Sequence, residues 1–299
     1  MMETNEKIYD AAIVGCGPAG LSAAVNLRVR NMDLILLGAD FCSPKLYKAE
    51  NVDNYLGFYG ISGQELRDHF LEHVRKMGIE IKNSKVDSIY SLGDYFTLIS
   101  RNTEYRAYSV ILATGVSNEK FLPGEEKLLG SGVSYCATCD GPLYRGKDVA
   151  VLAYTEEAIE EAEYLSELAG NVFFIPQYGF NGKFAADNIK IINERVQIIN
   201  GEYRVKSLTL EGRELDIDGI FILREVTPPD RLLFGLEIDN KHIKVNEQME
   251  TNIPGVFAAG DCTGLPYQLA RAVGQGQVAG LNAASFVRKK KKESQQPPD

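Results

Sequence analysis

The motif Gly15–Gly20 (GCGPAG) constrains the fold of this chain more than any other feature of its sequence. It follows an apolar segment, residues 8–14, that predicts a buried strand, and it precedes an alanine- and leucine-rich segment, residues 21–30, that predicts a helix. A second strand is predicted at Leu34–Leu37. Glycines at this spacing let the backbone approach a pyrophosphate at the positive end of the helix dipole. The sequence therefore predicts a Rossmann-like dinucleotide-binding unit at the N-terminus.

A second strand–turn–helix unit is predicted in the middle of the chain. Its strand is Asp148–Ala153, and its helix runs from about Glu156 to Leu168. Proline-containing crossings are predicted before and after this unit, at residues 116–127 and 227–230. Beyond them lie two more apolar strands, one that ends in Ala-Thr-Gly and one that ends in Ala-Ala-Gly-Asp. This order predicts a duplicated nucleotide-binding plan.

The charge of the chain limits its partners. Its 299 residues include 32 Lys and Arg and 41 Asp and Glu, which gives a formal net charge of −9. Nucleic acid is excluded as a partner because phosphate binding needs clustered basic groups. No apolar run has the length of a membrane span, and the N-terminus lacks a signal-peptide core, so we expect a soluble cytoplasmic protein. The basic run Arg288–Lys292 predicts a solvated tail after a last helix that ends near Val287, with docking to an acidic protein as the alternative.

Two of the five cysteines form the motif Cys136–Cys139 (CATC). In an intracellular chain this spacing indicates either a redox pair or part of a metal site. A structural zinc site takes four ligands, but the chain has no second motif of this kind and its three histidines lie far away in sequence. We therefore predict a redox pair and no metal. Residues 69–73 (HFLEH) have the spacing of a zinc-peptidase motif, but the amphipathic pattern around them favours a solvated helix face.

Together these motifs resemble the low-molecular-weight thioredoxin reductases, flavoproteins with two nucleotide-binding domains. The resemblance covers nearly the whole chain, and the segment Cys136–Gly141 (CATCDG) is its most specific part. It implies an α/β fold with two Rossmann-like domains of the FAD/NAD(P)-binding, three-layer ββα type, the second inserted in the first. Residues 1–117 and 226–299 would form the FAD-binding domain, and residues 118–225 the domain that carries the redox cysteines. It also implies a homodimer.

The resemblance further implies which residues contact FAD. The pyrophosphate would lie over the Gly15–Gly20 turn, and Asp261 would meet the ribityl–phosphate region. Lys45 stands where the family usually has Gln, and Gly38 stands where an acidic residue is expected, with Asp40 as the nearby candidate. The predicted cofactor-binding residues are Gly15, Gly17, Pro18, Ala19, Gly20, Gly38, Lys45, Asn54, Val86, Ala113, Thr114, Gly115, Gly260, Asp261, Gln268, Leu269 and Ala270.

In such reductases the two cysteines cycle between disulfide and dithiol, which implies the same catalytic role for Cys136 and Cys139. By this analogy Cys139 exchanges electrons with the flavin, Cys136 attacks the substrate disulfide, and Asp140 transfers the proton. The residue types suit this chemistry. A thiolate is needed for exchange, the start of a helix favours the thiolate, and an adjacent carboxyl can carry a proton.

The second turn departs from the family pattern. NADPH-dependent relatives have a second glycine-rich turn and then an arginine-rich stretch that binds the 2′-phosphate. Here the turn reads Ala153–Ala158 (AYTEEA), and the later stretch Pro176–Gly182 has no basic residue. Glu156 and Glu157 would repel a pyrophosphate, and Thr155 predicts an N-cap that satisfies the helix end. We therefore expect no effective NADPH binding.

A redox flavoprotein without an NADPH site needs another electron donor. The resemblance points to the ferredoxin-dependent flavin thioredoxin reductases, which lack pyridine nucleotide motifs. It implies that reduced ferredoxin delivers single electrons to FAD, and that pairs of electrons pass to Cys136–Cys139 and on to thioredoxin. Three alternatives are a dithiol oxidase that uses oxygen, an NADPH-dependent reductase with a degenerate site, and a flavin-holding sensor or scaffold without turnover.

Overall fold

The computed structural model describes residues 3–38, 44–100, 103–116, 121–224 and 228–294. Contacts divide the chain into two units, one formed by Met1–Val116 with Pro228–Asp299 and the other by Ser117–Thr227. Each unit contains helices and a sheet whose central strands are parallel. The predicted α/β fold class with two Rossmann-like units is confirmed.

The elements follow one another in the order expected of two strand–turn–helix units. The strands are β1 (Glu3–Val14), β2 (Leu34–Gly38), β3 (Ile81–Asn83), β4 (Ser88–Ser91), β5 (Phe96–Ser100), β6 (Thr103–Leu112), β7 (Val133–Ser134), β8 (Asp148–Ala153), β9 (Asn171–Pro176), β10 (Ile189–Ile191), β11 (Ile198–Gly201), β12 (Val205–Thr209), β13 (Glu214–Asp216), β14 (Gly219–Leu223), β15 (Ile238–Asp239), β16 (His242–Ile243) and β17 (Val256–Ala258). The α-helices are α1 (Pro18–Val29), α2 (Pro44–Tyr47), α3 (Gly63–Lys76), α4 (Ala137–Asp140), α5 (Ala158–Ser166), α6 (Pro229–Leu232) and α7 (Leu269–Glu293). Short 3₁₀ helices lie at Gly141–Tyr144 and Asp261–Thr263.

The sheet of the first unit brings several strand ends to one edge. Its central order is β3-β2-β1-β6, with β17 parallel to the C-terminal half of β6 and the antiparallel strands β5 and β4 beyond the N-terminal half. Val14 pairs with Leu37 on one side and with Leu112 on the other, and Leu112 pairs with Ala258. The loops that follow β1, β2, β6 and β17 therefore leave the sheet side by side, which is where open α/β sheets bind ligands.

Small residues let α1 and α7 pack closely in the first unit. Ala23, Ala279 and Ala283 are fully buried, and a Cβ at Gly276 would overlap the backbone of Ala19. This contact fixes the N-terminal half of α7 against the start of α1, so the two helices that border the sheet edge hold each other in place.

The last helix is longer than the sequence predicts. α7 runs to Glu293 instead of ending near Val287, so the predicted helix end is wrong and the basic run Arg288–Lys292 is helical, although most of its side chains are exposed. The helix continues because its end finds partners: Lys291 forms an ion pair with Asp10, and Arg288 Nη2 donates a hydrogen bond to the Arg30 carbonyl at 2.9 Å. Although α7 has 25 residues, no helix in the described part of the chain is long and apolar enough to cross a membrane.

The second unit holds a parallel sheet of its own. Its strand order is β10-β9-β8-β14-β7, and a separate antiparallel sheet is formed by β11, β12 and β13. Ala153 at the end of β8 pairs with Leu223 at the end of β14 and with Pro176 at the end of β9. The carboxyl edge of this sheet is the counterpart of the edge described for the first unit.

Candidate cofactor and disulfide sites

The turn between β1 and α1 is shaped for a group that approaches its backbone. Gly15 has φ +104°, a conformation that favours glycine, and a Cβ there would overlap the carbonyl of Ala113. α1 begins at Pro18, and its N-cap Gly17 supplies no side-chain hydrogen bond to the first helical turn. The backbone amides at this helix end and the positive end of the helix dipole can therefore bind an anion.

The loop after β6 lies beside this turn and contributes a buried polar group. The amide of Ala113 donates to the Val14 carbonyl at 2.8 Å, so the segment Ala113–Gly115 continues directly from the paired strands. The buried hydroxyl oxygen of Thr114 makes no hydrogen bond to the described residues, although it interacts with the nearby thiol of Cys262. Buried polar groups are normally paired, so this oxygen favours a polar ligand at the edge.

The turn after β17 is held by residues of α7. Gly260 has φ +86°, and its amide donates to Gln275 Oε1 at 3.0 Å, while Thr263 Oγ1 lies 3.1 Å from the same oxygen. Asp261 starts the short helix that follows. Gln275 and Thr263 were not predicted from the sequence, in which the two glutamines of the glycine-rich helix, Gln275 and Gln277, were the one available signal. They fix the backbone on which Asp261 lies.

Two predicted residues that are distant in sequence meet at the start of α7. Asn54 Nδ2 donates to Gln268 Oε1 at 3.0 Å. Gln268 is the N-cap of α7 but makes no side-chain cap hydrogen bond, and Leu269 and Ala270 form the first turn. This end of α7 therefore lies next to the segment of Asn54, as expected if both contact one ligand.

Three other predicted cofactor residues remain, namely Gly38, Val86 and Lys45. Gly38 ends β2, and its carbonyl accepts a hydrogen bond from the Ser84 amide at 3.1 Å. Val86 follows on this segment and is buried in the core beneath the sheet edge. Lys45 lies in α2, but its side chain lies outside the described part of the structure, as does the whole of Asp40. The first sheet edge as a whole fits a dinucleotide cofactor.

The predicted redox pair is a disulfide in the second unit. Cys136 and Cys139 are bonded, with their Cα atoms 5.4 Å apart. Cys136 is the N-cap of α4, and its sulfur accepts a hydrogen bond from the Cys139 amide at 3.1 Å. This position at a helix start stabilises a thiolate once the bond is reduced. The residues that the structure describes contain no group of three or more His, Cys, Asp or Glu side chains arranged to hold a metal ion.

Asp140, the predicted proton carrier, lies one helical turn after Cys136. Asp140 Oδ2 accepts a hydrogen bond from Ser134 Oγ at 2.7 Å, and Ser134 Oγ accepts one from the Cys136 amide at 3.1 Å. Burial raises the pKa of Tyr144, and the negative charge of Asp140 raises it further. Ser134 was not predicted from the sequence, where it is only a small polar residue two positions before the first cysteine.

The thiol of Cys262 lies next to the first sheet edge but is not poised for exchange. It is a free cysteine with 1% of its surface exposed. Burial raises its pKa to about 11, although interactions with Ala259 and Thr114 act in the opposite direction. A buried thiol with so high a pKa is a poor nucleophile near neutral pH.

The turn after β8 differs from the turn after β1. α5 begins at Ala158, later than predicted, because Thr155 and Glu156 form a turn whose carbonyls accept hydrogen bonds from the amides of Ala158 and Ile159. The N-cap is Glu157, which makes no side-chain cap hydrogen bond, so the prediction that Thr155 caps this helix is wrong. Glu156 and Glu157 are exposed at the helix start.

The surroundings of this second turn carry negative potential. Burial raises the pKa of Tyr178, and the charges of Glu156 and Glu157 raise it further. The same two carboxylates would repel a pyrophosphate at this helix end. The segment after β9 that contains Tyr178 forms an aromatic cluster, with the rings of Phe180 and Phe184 lying 5.1 Å and 4.9 Å from Phe174.

A buried ion pair fills the carboxyl edge of the second sheet. Arg224 directly follows β14 and binds Glu125 through two hydrogen bonds of 2.5 Å and 2.8 Å, and the two side chains are 4% and 0% exposed. The Arg224 guanidinium also lies 5.1 Å from the centre of the Tyr154 ring, the residue that follows β8. Burial alone lowers the pKa of Arg224, but the hydrogen bonds and charge of Glu125 raise it above its usual range, so the guanidinium stays charged.

The ion pair has two more partners. Glu125 Oε1 accepts a hydrogen bond from the Tyr135 hydroxyl at 2.7 Å, and Glu125 Oε2 accepts one from the Leu122 amide at 2.8 Å. The charge of Arg224 is thus paired within the protein, at the sheet edge where a second dinucleotide would bind. This arrangement was not predicted, because Glu125 and Arg224 are 99 residues apart in sequence.

Comparisons with known proteins add independent findings. A family model described as pyridine nucleotide-disulphide oxidoreductase matches residues 9–276. The thioredoxin reductase of Bacillus subtilis is 33% identical over 95% of this chain and 96% of its own length. The crystal structure of a ferredoxin-flavin thioredoxin reductase from Clostridium acetobutylicum is 47% identical with a TM-score of 0.91, covering 96% of this chain and 100% of that chain. A thioredoxin reductase from Gloeobacter violaceus is 28% identical with a TM-score of 0.76, covering 97% of each chain.

Proposed function

Because this chain belongs to the pyridine nucleotide-disulphide oxidoreductase family and is a homologue of thioredoxin reductases, we propose that it reduces the disulfide of thioredoxin. In this proposal reduced ferredoxin is the electron donor, FAD is the cofactor, and Cys136–Cys139 is the redox disulfide. Membership of the family confirms the predicted resemblance and the predicted class, an oxidoreductase of a flavoprotein family. The observation that carries the proposed donor is the closed second sheet edge of a chain that keeps its redox disulfide.

The first sheet edge supports FAD as the cofactor. The amides at the start of α1 would bind its negative charge, and the turns Ala113–Gly115 and Gly260–Asp261 would border it. Asn54 and Gln268–Ala270 are proposed as further contacts. When bound, FAD supplies a centre that can accept electrons singly and release them in pairs.

The chain's own residues account for the exchange with a substrate disulfide. In the dithiol form, the Cys136 thiolate attacks one sulfur of the substrate and releases the other as a thiol. Cys139 then attacks the Cys136 sulfur, which re-forms the internal disulfide and releases the second thiol. We assign Asp140 to hold and return the proton that these two steps move.

Two observations favour ferredoxin over NADPH as the donor. The second sheet edge is occupied by Glu125, Arg224 and Tyr154, and two glutamates stand where a pyrophosphate would need positive potential. One solved structure similar to this chain, at 47% identity, is a ferredoxin-flavin thioredoxin reductase. A dithiol oxidase that passes electrons to oxygen would also suit the closed edge, and oxygen consumption with small dithiols separates the two.

The basic run at the end of α7 does not support a ferredoxin site there. A helix of 25 residues spans about 37 Å, and the proposed cofactor contacts lie at the opposite end, near Leu269. Lys291 is also paired with Asp10. We therefore expect ferredoxin to dock elsewhere, on a surface nearer the first sheet edge.

The proposal is tested by reconstituted turnover under anaerobic conditions. Reduced ferredoxin and thioredoxin disulfide are mixed with the flavin-loaded protein, and new thioredoxin thiols are counted. We expect Cys136→Ser and Cys139→Ser to reduce thiol formation to background while both variants keep their flavin. The double variant Lys289→Ala/Lys292→Ala should keep the full rate, because both side chains lie at the far end of α7. Absence of thiol formation with the unmodified protein would reject the proposed function.

A further inference from the structure

We propose that Ser134 is a positioning residue for thiol–disulfide exchange, because its hydroxyl fixes one oxygen of the Asp140 carboxylate and leaves the other to exchange a proton. The inference rests on the exchange chemistry proposed for Cys136 and Cys139. It adds a residue that lies outside the CATCDG motif and that touches neither sulfur through its own side chain.

The distances around Ser134 show which acceptor receives the hydrogen bond from its single hydroxyl proton. Ser134 Oγ lies 2.7 Å from Asp140 Oδ2 and 3.2 Å from the Cys136 carbonyl. The shorter contact joins the hydroxyl to a carboxylate, and hydrogen bonds to charged acceptors are the stronger ones. The hydroxyl oxygen is in turn fixed by the Cys136 amide, which donates to it at 3.1 Å. Ser134 therefore bridges the backbone of the first cysteine and the side chain of the acid.

The setting of Ser134 makes this bridge rigid. Ser134 lies on β7, where it pairs with Phe221 of the buried strand β14, and only 4% of its surface is exposed. Its orientation is therefore set by the sheet and not by the helix that carries Asp140. A carboxylate attached to a one-turn helix would otherwise sample several rotamers, each of which moves its oxygens relative to the sulfurs.

The two oxygens of Asp140 consequently differ. Oδ2 accepts the serine hydrogen bond, whereas Oδ1 has no hydrogen-bond partner among the described residues. Asp140 is half-buried, so Oδ1 can reach a substrate or water. One oxygen holds the group in place, and the other is free to accept and return a proton.

The reaction that this arrangement serves is balanced within the protein and its substrate. The protein dithiol loses two electrons and two protons and becomes the Cys136–Cys139 disulfide, while a substrate disulfide gains both and becomes two thiols. Each substrate sulfur leaves as a thiolate and needs a proton in proportion to its basicity. A correctly placed acid therefore accelerates exchange with basic leaving groups and does little for leaving groups that are stable as thiolates.

This dependence gives a test that needs neither ferredoxin nor thioredoxin. The full-length, flavin-loaded protein is reduced with dithiothreitol, desalted anaerobically and mixed with either of two small disulfides. One is an alkyl disulfide, bis(2-hydroxyethyl) disulfide, and the other is an aryl disulfide, dithiobis(nitrobenzoate). Disappearance of the Cys136 thiol is followed by acid quench, alkylation and mass spectrometry. We expect Ser134→Ala to slow exchange with the alkyl disulfide about tenfold and to change exchange with the aryl disulfide by less than about twofold.

A matched control removes a neighbouring hydroxyl that serves another partner. Tyr135→Phe deletes the buried hydrogen bond to Glu125, which is also 2.7 Å long, but leaves the bridge to Asp140 intact. We expect this variant to keep the ratio of the alkyl and aryl rates, even if both rates fall with stability. Ser134→Thr, which retains a hydroxyl, should restore the ratio.

A double variant shows whether Ser134 acts through Asp140. Asp140→Asn should lower the alkyl rate selectively, and adding Ser134→Ala to it should cause little further loss, because the two groups form one unit. Equal slowing with both disulfides, or additive losses in the double variant, would overturn the inference and leave Ser134 a structural residue. Such a result would not affect the proposed function, whose own test is the thioredoxin assay.

Discussion

The turn after β1 and the turn after β8 occupy the same place in their sheets but present different chemistry. In the first, the opening turn of the helix carries no acidic residue, and Gly15 brings the backbone into contact with Ala113. In the second, Glu156 and Glu157 surround the helix start, and the buried pair of Glu125 and Arg224 fills the sheet edge. The amides at the first edge can bind an anion, whereas the charged groups at the second edge bind each other.

The difference shows that strand order alone does not preserve a ligand site. Both sheets place parallel strand ends side by side, but the residues that follow those ends decide what can bind. The sheet of the second unit also positions β7, which carries Ser134 and directly precedes the turn with the two cysteines.

The largest expected effect comes from adding one methyl group to the turn after β1. Gly15→Ala places a Cβ against the Ala113 carbonyl at a φ of +104°, so the turn must relax out of the shape that exposes its amides. We expect the purified protein to lose most of its flavin and to melt at a lower temperature. Glu157→Ala, the matched change in the second turn, should alter neither the flavin-to-protein absorbance ratio nor Tm. Equal flavin content in both variants would contradict the comparison.

The second prediction concerns the ion pair that closes the other edge. Arg224→Met leaves Glu125 buried without its partner, which should destabilise the protein by about 3–5 kcal/mol in chemical denaturation. The double variant Glu125→Leu/Arg224→Met removes both charges and should recover most of this loss. A loss below about 1 kcal/mol for Arg224→Met would mean that the pair is not a buried structural element of this edge.

A third prediction compares the thiols of the two regions. With a pKa of about 11, only about one Cys262 thiol in a thousand is ionised near pH 8, whereas the reduced redox pair lies at a helix start. Peptide mass spectrometry after brief iodoacetamide treatment of the reduced protein should find Cys136 and Cys139 modified and Cys262 unmodified. Labelling of Cys262 should rise with pH up to about 11. Rapid labelling near pH 8 would show that this thiol is not enclosed.

The smallest expected effect is that removing the two glutamates does not create NADPH binding. Glu156→Ala/Glu157→Ala removes the repulsive charges at the start of α5, but Arg224, Glu125 and Tyr154 still occupy the sheet edge. We therefore expect no measurable NADPH binding by isothermal titration calorimetry. If this variant binds NADPH, the glutamates alone exclude the nucleotide and the ion pair has no part in closing the edge.

Local patterns predicted much of this molecule, and long-range contacts account for what they missed. The strands, the glycine turn and the Cys136–Cys139 motif were predictable because each is determined by a pattern of a few consecutive residues. The pair of Glu125 and Arg224 and the bridge from Ser134 to Asp140 were not, because the fold brings together residues that carry no shared pattern.

Two boundary predictions failed for similar reasons. Thr155 has the side chain of a good cap, but the backbone makes a turn first and the helix starts later. The basic run was expected to follow the last helix, but an ion pair between residues 281 positions apart extends that helix. In both cases tertiary structure overrode a local preference.

The most direct test of the central claim is an anaerobic titration of the oxidised, flavin-loaded protein, followed by visible absorbance. One sample receives NADPH, and the other receives ferredoxin kept reduced by an independent system, with thioredoxin disulfide present. We predict that NADPH leaves the flavin oxidised, whereas reduced ferredoxin bleaches it and thioredoxin thiols appear. Prompt bleaching by NADPH would contradict the account, because it would show that the second sheet edge still binds a pyridine nucleotide.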